Sequence, residues 1–517
     1  MQDGARPAVT STDLMIGVVG CGVMGRGIAQ IAVLAGAHVC LCDSRAGASS
    51  AARDDLLATF GKLIEKGKLD KDQAAAAAGR LQACCDLKQL ADCDVIIEAI
   101  IEDLAAKKSL FGTLEGIVKP SAILATNTSS LSVTAIAAGL QYPERVAGFH
   151  FFNPVPLMKI VEAIGGLLTA PDITDYMIAL GQHWGHTVVR AKDTPGFIVN
   201  HAGRGFGTEG LRLLAEGVAT VPALDQILRD TAGFRLGPCE LMDMTGLDVS
   251  HPVMESIYQQ YYEEPRFRPQ NLTRQMLTAG LLGKKTGRGF YSYGEDGKKE
   301  AVAEATPAAR APGPIWLSRA RPELAARIAA IVDAAGFTLE SGDRPSTDAL
   351  CIVTPLGDDA TTCCMHEGLD GKRTVGVETL FDLSRRRVVM TTPATSSEYL
   401  AMACGLFGGL SGAGGQAVSV IRDSAGLVAQ RVVAHIINIA CEIAQQGIAD
   451  PLDIDRAVKL GLGYPHGPLA WGDQLGATTV LTILKNLEQQ TGDPRYRPSP
   501  WLQRRAMLGL SLHHEEI

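Results

Sequence analysis

No stretch of the 517-residue chain reaches about 18 uninterrupted apolar residues, so nothing in it reads as a membrane-spanning helix. The twelve cysteines include no Cys-x-x-Cys; two pairs, Cys84-Cys85 and Cys363-Cys364, are merely adjacent. That spacing implies neither a zinc site nor a disulfide framework, no metal is expected, and a reducing cytosol fits best. A basic excess is also missing. The net charge of −8 argues against a general nucleic-acid or anionic-membrane surface. It leaves room for a local basic pocket that takes a phosphorylated ligand. Met1 to Asp13 carries no basic segment followed by an apolar run, so no signal peptide is expected and the reading is cytoplasmic. What remains is an ordinary globular composition, 46% hydrophobic and 20% charged. Its length allows three to five domains.

What the chain does have is a repeat. Asp193-Thr194-Pro195-Gly196-Phe197 returns as Asp423-Ser424-Ala425-Gly426-Leu427, and Glu216-Gly217-Val218-Ala219 as Gln446-Gly447-Ile448-Ala449. Gly237-Pro238 and Asp243 return as Gly467-Pro468 and Asp473, all at an offset of 230 residues. The offset holds without a gap from about residue 186 to 247, which points to two copies of one unit. Farther upstream Gly148 lines up with Gly376, and Val146–Phe152 resembles Val375–Phe381. The duplication therefore includes strands as well as helices.

Residues 14–43 predict strand, glycine turn, helix, strand. Short apolar runs follow at 94–98, 122–126, 145–152, 158–164 and 187–190, several of them separated by helical segments. The alternation implies an α/β sheet with parallel strands. From Pro195 the pattern is helical to about residue 282, and the proline-rich stretch 294–322 reads as a linker. The expected order is a dinucleotide-binding α/β domain (14–192), a helical domain (193–293), the linker, a degenerate partial α/β segment (323–420) and a second helical domain (421–517). The second half lacks the first βαβ unit.

Gly20-x-Gly22-x-x-Gly25 is a dinucleotide-binding pattern, but 56 glycines in 517 residues give about 0.6 such matches by chance. A second match, Gly205-x-Gly207-x-x-Gly210, even has Asp225 downstream, and Gly412-x-Gly414-x-x-Ala417 is a near-match. Context separates them. Only the first follows an apolar strand, opens a helix and leads to a second strand ending in an acid, Asp43. There the glycines let backbone approach a pyrophosphate, the helix N-terminus offers N–H groups (Gly20, Gly22, Val23, Met24 and Gly25), and the acid takes the ribose hydroxyls. Asp43 favours NAD over NADP, because a 2′-phosphate would meet a carboxylate. Arg45 could soften that preference, although it also reads as a solvated loop arginine.

His150 ends one apolar strand and Glu162 the next, so the two can lie side by side at the carboxyl edge of the sheet. Hydride chemistry on an alcohol uses such a pair: the imidazole takes the hydroxyl proton and the carboxylate orients the ring. The same spacing also suits a core histidine and a strand-end surface acid.

Gly17–Gly25, Asn127-Thr128-Ser129-Ser130, His150–Pro156, Asp193–Asn200 and Gly283–Tyr291 stand in one order across residues 14–293. With these motifs the chain resembles the L-3-hydroxyacyl-CoA dehydrogenases. The second half resembles the tandem C-terminal arrangement of longer bacterial members, including those of phenylacetate catabolism. The resemblance implies an acyl-CoA substrate, NAD as cofactor, His150 as base and Glu162 as its orienting acid. It implies substrate contacts for Ser129 and Asn200, with Ser129 also near the nicotinamide. Glu102, Lys107, Asn127, Asn153 and Lys285 match positions near the NAD. From the residues alone, Ser129 could equally cap a helix, Asn200 could start one, and Lys107 could be a solvated helix lysine. His201 stands where the family often has Arg, with Arg204 nearby to compensate. Lys62, Lys66 and Lys68 are candidates for the CoA phosphates, against the alternative of a solvated helix face.

In the second copy the offset places Glu378 opposite His150, Thr391 near Glu162 and Gln430 opposite Asn200, so base and acid are both replaced. That half is expected to be catalytically silent and to form an internal pseudo-dimer with the first helical domain; an additional homodimer is compatible with this. Two alternatives stay open. One is a β-hydroxyacid dehydrogenase with a non-CoA substrate, which would use a catalytic lysine. The other is a non-catalytic NAD-binding or structural protein on the same fold.

Overall fold

The computed structural model describes residues 6–302, 308–409 and 416–516. Pro307 of the expected linker and the Gly412/Gly414 near-match lie outside the described residues. Two compact units emerge. One is built from the chain up to His201 together with Gln446–Leu462, the other from Ala202–Gln445 and Gly463 onward.

The first unit holds an eight-stranded sheet: β1 (Met15–Val19), β2 (His38–Cys42), β3 (Leu81–Cys84), β4 (Val95–Glu98), β5 (Ile123–Thr126), β6 (Val146–Phe151), β7 (Ile160–Gly165) and β8 (Thr187–Lys192). Their order is β3-β2-β1-β4-β5-β6-β7-β8, which puts the switch point between β1 and β4. Buried Ile16, Val18, Val39, Leu41, Val95, Ile97 and Ala125 form the core with Ile28, Ala29 and Ala32 of helix Val23–Leu34. The sheet is not wholly parallel as expected: β7 pairs with β6 antiparallel, and β8 follows β7. The reason is connection length. Only residues 152–159 join β6 to β7, too few for the crossover a parallel neighbour needs. β3 escaped the sequence reading because it is a four-residue edge strand with two of its positions open to solvent.

Helix Pro451–Gly461, which the repeat assigns to the second helical domain, packs on β7 and β8 in this unit. Its loop closes the sheet edge: the Lys192 N–H donates to the Ile448 carbonyl at 2.9 Å.

The second unit holds a five-stranded sheet: β9 (Ile315–Leu317), β10 (Leu350–Val353), β11 (Thr374–Val377), β12 (Arg386–Thr391) and β13 (Ala417–Ile421), in the order β13-β12-β11-β10-β9. It reproduces β4 to β8, including the antiparallel step, here between β11 and β12. β9 lies inside the stretch read as linker, where neighbouring prolines mask a strand of only three residues. It would be a bare edge, but Leu339 bridges to Ile315 and the Glu340 N–H donates to the Ile315 carbonyl at 2.8 Å.

The helices repeat in step. Val199–Ala215, Val221–Ala232, Pro238–Thr245 and Leu247–Gln260 correspond to Ala429–Gln445, Pro451–Gly461, Pro468–Leu475 and Ala477–Thr491, with starts 230 positions apart. Helix Val221–Ala232, from the first copy, packs on β12 of the second sheet. There Arg386 on β12 donates to Asp230 at 2.9 Å and to Gln226 at 2.6 Å. Gly205, Gly207 and Gly210 all lie inside helix Val199–Ala215. A Cβ at Gly205 would come within 3.1 Å of Ile436 Cα, and one at Gly210 within 2.7 Å of Pro238. This glycine motif is therefore a close-packing stripe, not a phosphate loop. Asp225, its apparent acid, instead accepts the Cys239 and Glu240 N–H groups at 3.0 Å and so caps helix Pro238–Thr245.

Candidate active site

The carboxyl ends of β1 and β2 carry the glycine loop and Asp43. Gly20 has φ +104°, and a Cβ there would sit 2.4 Å from the Ala99 carbonyl oxygen. A Cβ at Gly25 would lie 1.8 Å from the Gly20 oxygen, so the helix starts where no side chain fits. Gly22, the N-cap, has nothing within 4 Å of its would-be Cβ, leaving the helix N-terminus at Val23 and Met24 open. A cavity of about 970 Å³ extends from Gly20 and Gly22 past Asp43 and Arg45 to Ile101 and Leu110. These residues fit a dinucleotide: backbone donors for the pyrophosphate, and a carboxylate for a ribose.

Asp43 accepts the Cys21 N–H at 2.8 Å, and from Arg45 both the backbone N–H (3.0 Å) and Nε (3.1 Å). Burial raises its pKa, but the hydrogen bonds from Arg45 and Cys21 outweigh that and hold it at about 2. Asp43 is thus ionised at any working pH. Arg45 is an exposed loop arginine, as the sequence suggested, and its guanidinium also rests on the acid.

His150 and Glu162 are direct cross-strand partners on β6 and β7. Glu162 is therefore the third residue of an antiparallel strand, not its end as the sequence reading had it. His150 Nδ1 and Glu162 Oε2 are 2.6 Å apart and both residues are buried. The other Glu162 oxygen accepts the Ile198 and Val199 N–H groups, each at 2.9 Å, at the start of helix Val199–Ala215. Helix N–H groups and the imidazole thus share one buried carboxylate, which fixes the ring's orientation. Phe152 and Phe197 flank the ring, with centroids at 4.4 and 5.9 Å. Phe197 has φ +47°, but so does Leu427 in the other copy, so this strain belongs to the turn and not to the chemistry.

The Asn200 amide donates to the Ser129 carbonyl at 3.3 Å. Ser129 is not a helix cap: Ser132 caps Val133–Ala137. Asp193 accepts the Val133 and Thr134 N–H groups at 2.9 and 2.7 Å and so ties that helix to the end of β8. Asn127 accepts the Phe151 N–H at 2.8 Å and braces β6. Lys107 is not a solvated lysine. It is 1% exposed, with Nζ 2.6 Å from Glu98 and 3.4 Å from Glu102. Glu102 receives the Thr128 hydroxyl at 2.7 Å and the Ser129 N–H at 2.8 Å. Burial raises the Glu102 pKa, but Lys107 and these donors bring it below the usual carboxylate value. Glu98 had gone unnoticed; the available signal was an acid closing an otherwise apolar strand.

Asn153, joined to Pro154 by a cis bond, lines a second cavity of about 460 Å³ together with Lys62, Arg26 and Leu157. Lys66 and Lys68 are exposed and do not line it. Lys285 belongs to the other unit, where it pairs with Asp248.

In the second sheet the position opposite Glu378 is Val388, whose carbonyl accepts the Glu378 N–H at 3.1 Å. Val388, not Thr391, is therefore the counterpart of Glu162: the strands run at offsets of 228 and 226, not 230. The space is filled. Gln430 donates to Glu378 at 3.0 Å and to the Pro355 carbonyl at 3.1 Å, and accepts the Gly357 N–H at 3.0 Å. Burial raises the Glu378 pKa.

A glycine cradle beside a buried His–Glu pair defines a dehydrogenase of the dinucleotide-binding α/β class. The family model for the 3-hydroxyacyl-CoA dehydrogenase NAD binding domain matches residues 15–194. The model for the C-terminal domain of the same enzymes matches twice, at 196–293 and 426–511. The chain is 36% identical to a 3-hydroxyadipyl-CoA dehydrogenase of Escherichia coli K12, over 95% of this chain and 97% of that one. It is 40% identical to a probable 3-hydroxybutyryl-CoA dehydrogenase of Bacillus subtilis, over 54% of this chain and 96% of that one. A crystal structure of an E. coli K12 3-hydroxybutyryl-CoA dehydrogenase superposes with a TM-score of 0.83 at 35% identity, covering 96% of this chain and 98% of that one. The chain belongs to the 3-hydroxyacyl-CoA dehydrogenase family, NAD-dependent oxidoreductases. Among the described residues no helix is long and apolar enough to cross a membrane, and no cluster of potential metal ligands is present.

Proposed function

We propose that the chain catalyses reversible oxidation of an L-3-hydroxyacyl-CoA to the 3-ketoacyl-CoA at one site per chain. The observation that carries this is the buried His150–Glu162 pair on the sheet that also bears the glycine cradle. Glu162 holds Nδ1, so Nε2, which makes no hydrogen bond among the described residues, is left to take the hydroxyl proton. The carboxylate then stabilises the imidazolium. NAD, when bound, accepts the hydride from C3. Ser129 and Asn200 orient the substrate, and Glu102, Lys107, Asn127, Asn153 and Lys285 serve the cofactor, Lys107 through Glu102. Lys62, beside the smaller cavity, is the best placed of the three lysines for a CoA phosphate, ahead of Lys66 and Lys68.

We read the second α/β segment and helical domain as a silent duplicate that completes an internal pseudo-dimer, within the five-part order 14–192, 193–293, 294–322, 323–420 and 421–517. Two things support this. The helices Val221–Ala232 and Pro451–Gly461 are exchanged between the copies' sheets. Buried Glu209 of the first copy also accepts from Arg431 (2.5 Å) and Tyr496 (2.6 Å) of the second.

NADH formation from 3-hydroxybutyryl-CoA and from 3-hydroxyadipyl-CoA tests the reading and ranks a plain against a carboxylated acyl chain. No turnover of either would overturn it.

Asp43 should set cofactor preference: kcat/KM for NAD exceeds that for NADP, and Asp43→Asn narrows the ratio by roughly tenfold, about 1.4 kcal/mol. Equal wild-type kcat/KM for the two cofactors would refute this and turn attention to Arg45.

A further inference from the structure

We propose that Glu98 is a positioning residue that acts on Ser129 through Lys107 and Glu102. Glu98 closes β4 and is fully buried. Its Oε1 accepts the Ile100 N–H at 2.7 Å and Lys107 Nζ at 2.6 Å, and its Oε2 accepts the Thr126 hydroxyl at 2.7 Å. Both oxygens are therefore held by β4, β5 and the helix Leu104–Glu115 that follows β4. The anchored Lys107 ammonium faces Glu102 Oε2 at 3.4 Å. Glu102 in turn gathers Thr128, Ser129 and Ser130 on its other oxygen: the Ser129 N–H at 2.8 Å, its hydroxyl at 3.2 Å and the Ser130 N–H at 3.1 Å.

The chain of contacts runs in one direction. A lysine head taken out of water needs a buried acceptor to hold it in place, and Glu98 is that acceptor at 2.6 Å. A charged Lys107 keeps Glu102 ionised and turned inward. An ionised Glu102 holds the Ser129 loop, because its oxygen is acceptor-only. Neutralising Glu98 leaves Lys107 with a single, partly exposed carboxylate. Lys107 and Glu102 then lose their fixed geometry, and the Ser129 loop loses its anchor while the glycine cradle stays intact.

The proposal rests on the reading of Ser129 as a substrate contact, so the test is a double-mutant cycle of Glu98→Gln with Ser129→Ala. Glu98→Gln should lower kcat roughly tenfold in the wild-type background and less than about twofold in the Ser129→Ala background. NADH affinity, read by fluorescence titration, should fall by the same factor in both backgrounds, because Glu102 and Lys107 also serve the cofactor; kcat is therefore compared at saturating NAD. An equal fall in kcat in both backgrounds, or no fall at all, overturns the proposal. If Ser129→Ala itself keeps full kcat, the reading of Ser129 fails first and the proposal falls with it. Should Glu98→Gln not fold, Thr126→Val, which removes only the hydroxyl on Oε2, replaces it in the same cycle with the same decisive outcomes.

Discussion

His150→Ala protein is expected to turn over roughly 10²–10⁴-fold more slowly than wild type while binding NADH normally. The size follows from what is lost. With Nδ1 held 2.6 Å from a buried carboxylate, the imidazole is fixed in place and needs no reorganisation to take a proton at Nε2. Alanine leaves that proton to water. It also strands Glu162, but the Ile198 and Val199 N–H groups still satisfy one of its oxygens, so the fold should survive. Glu162→Gln should cost less than His150→Ala, since the ring remains and only its orientation and charge partner suffer. Steady-state kinetics on folded protein, with NADH titration as control, decides the matter. Wild-type kcat in His150→Ala would remove the base from the mechanism.

The second large effect concerns the chain cut after residue 293. That fragment retains every residue assigned to catalysis or cofactor, yet it is expected to aggregate or self-associate and to lose most activity. It forfeits helix Pro451–Gly461, which packs on β7, the strand that carries Glu162. It also bares the face of helix Val199–Ala215 on which Gly205 meets Ile436, and strips Glu209 of Arg431 and Tyr496. The exposed apolar face, with a carboxylate that has lost its partners, has to find another cover. Two measurements settle it. Light scattering on residues 1–293 should show self-association, and calorimetric titration of the full chain should count one NAD. A soluble, fully active monomeric fragment, or two NAD sites per chain, would refute the silent-duplicate reading.

The glycine loop, the acid after β2, the His–Glu pair and the duplication were all readable in the sequence, because each depends on local pattern or on self-comparison. What escaped depends on contacts distant along the chain. Lys107 looked solvated because its partner, Glu98, sits nine residues earlier on a strand, at no helical spacing. The direction of β7 could have been argued from the short 152–159 connection, which rules out a crossover. The pairing of Glu378 with Val388 was missed because a constant offset, sound for the helices, slips by a few residues in the strands. The helix exchange is beyond any one-dimensional repeat, since offset says which helices correspond but not which sheet each will cover.

That exchange has a consequence for synthesis on the ribosome. The first sheet's β8 ends at Lys192; helix Pro171–His183 already packs on it, but its second covering helix begins at Pro451, 259 residues later. At about 5–20 residues per second, the apolar flank of that sheet waits on the order of 10–50 s for that second cover. During that interval the nascent chain presents an edge whose neighbour has not yet been made, and helix Val221–Ala232 has no second sheet to join. Chaperone binding to stalled chains should therefore peak between residues 200 and 450 and fall once Gly461 has left the exit tunnel.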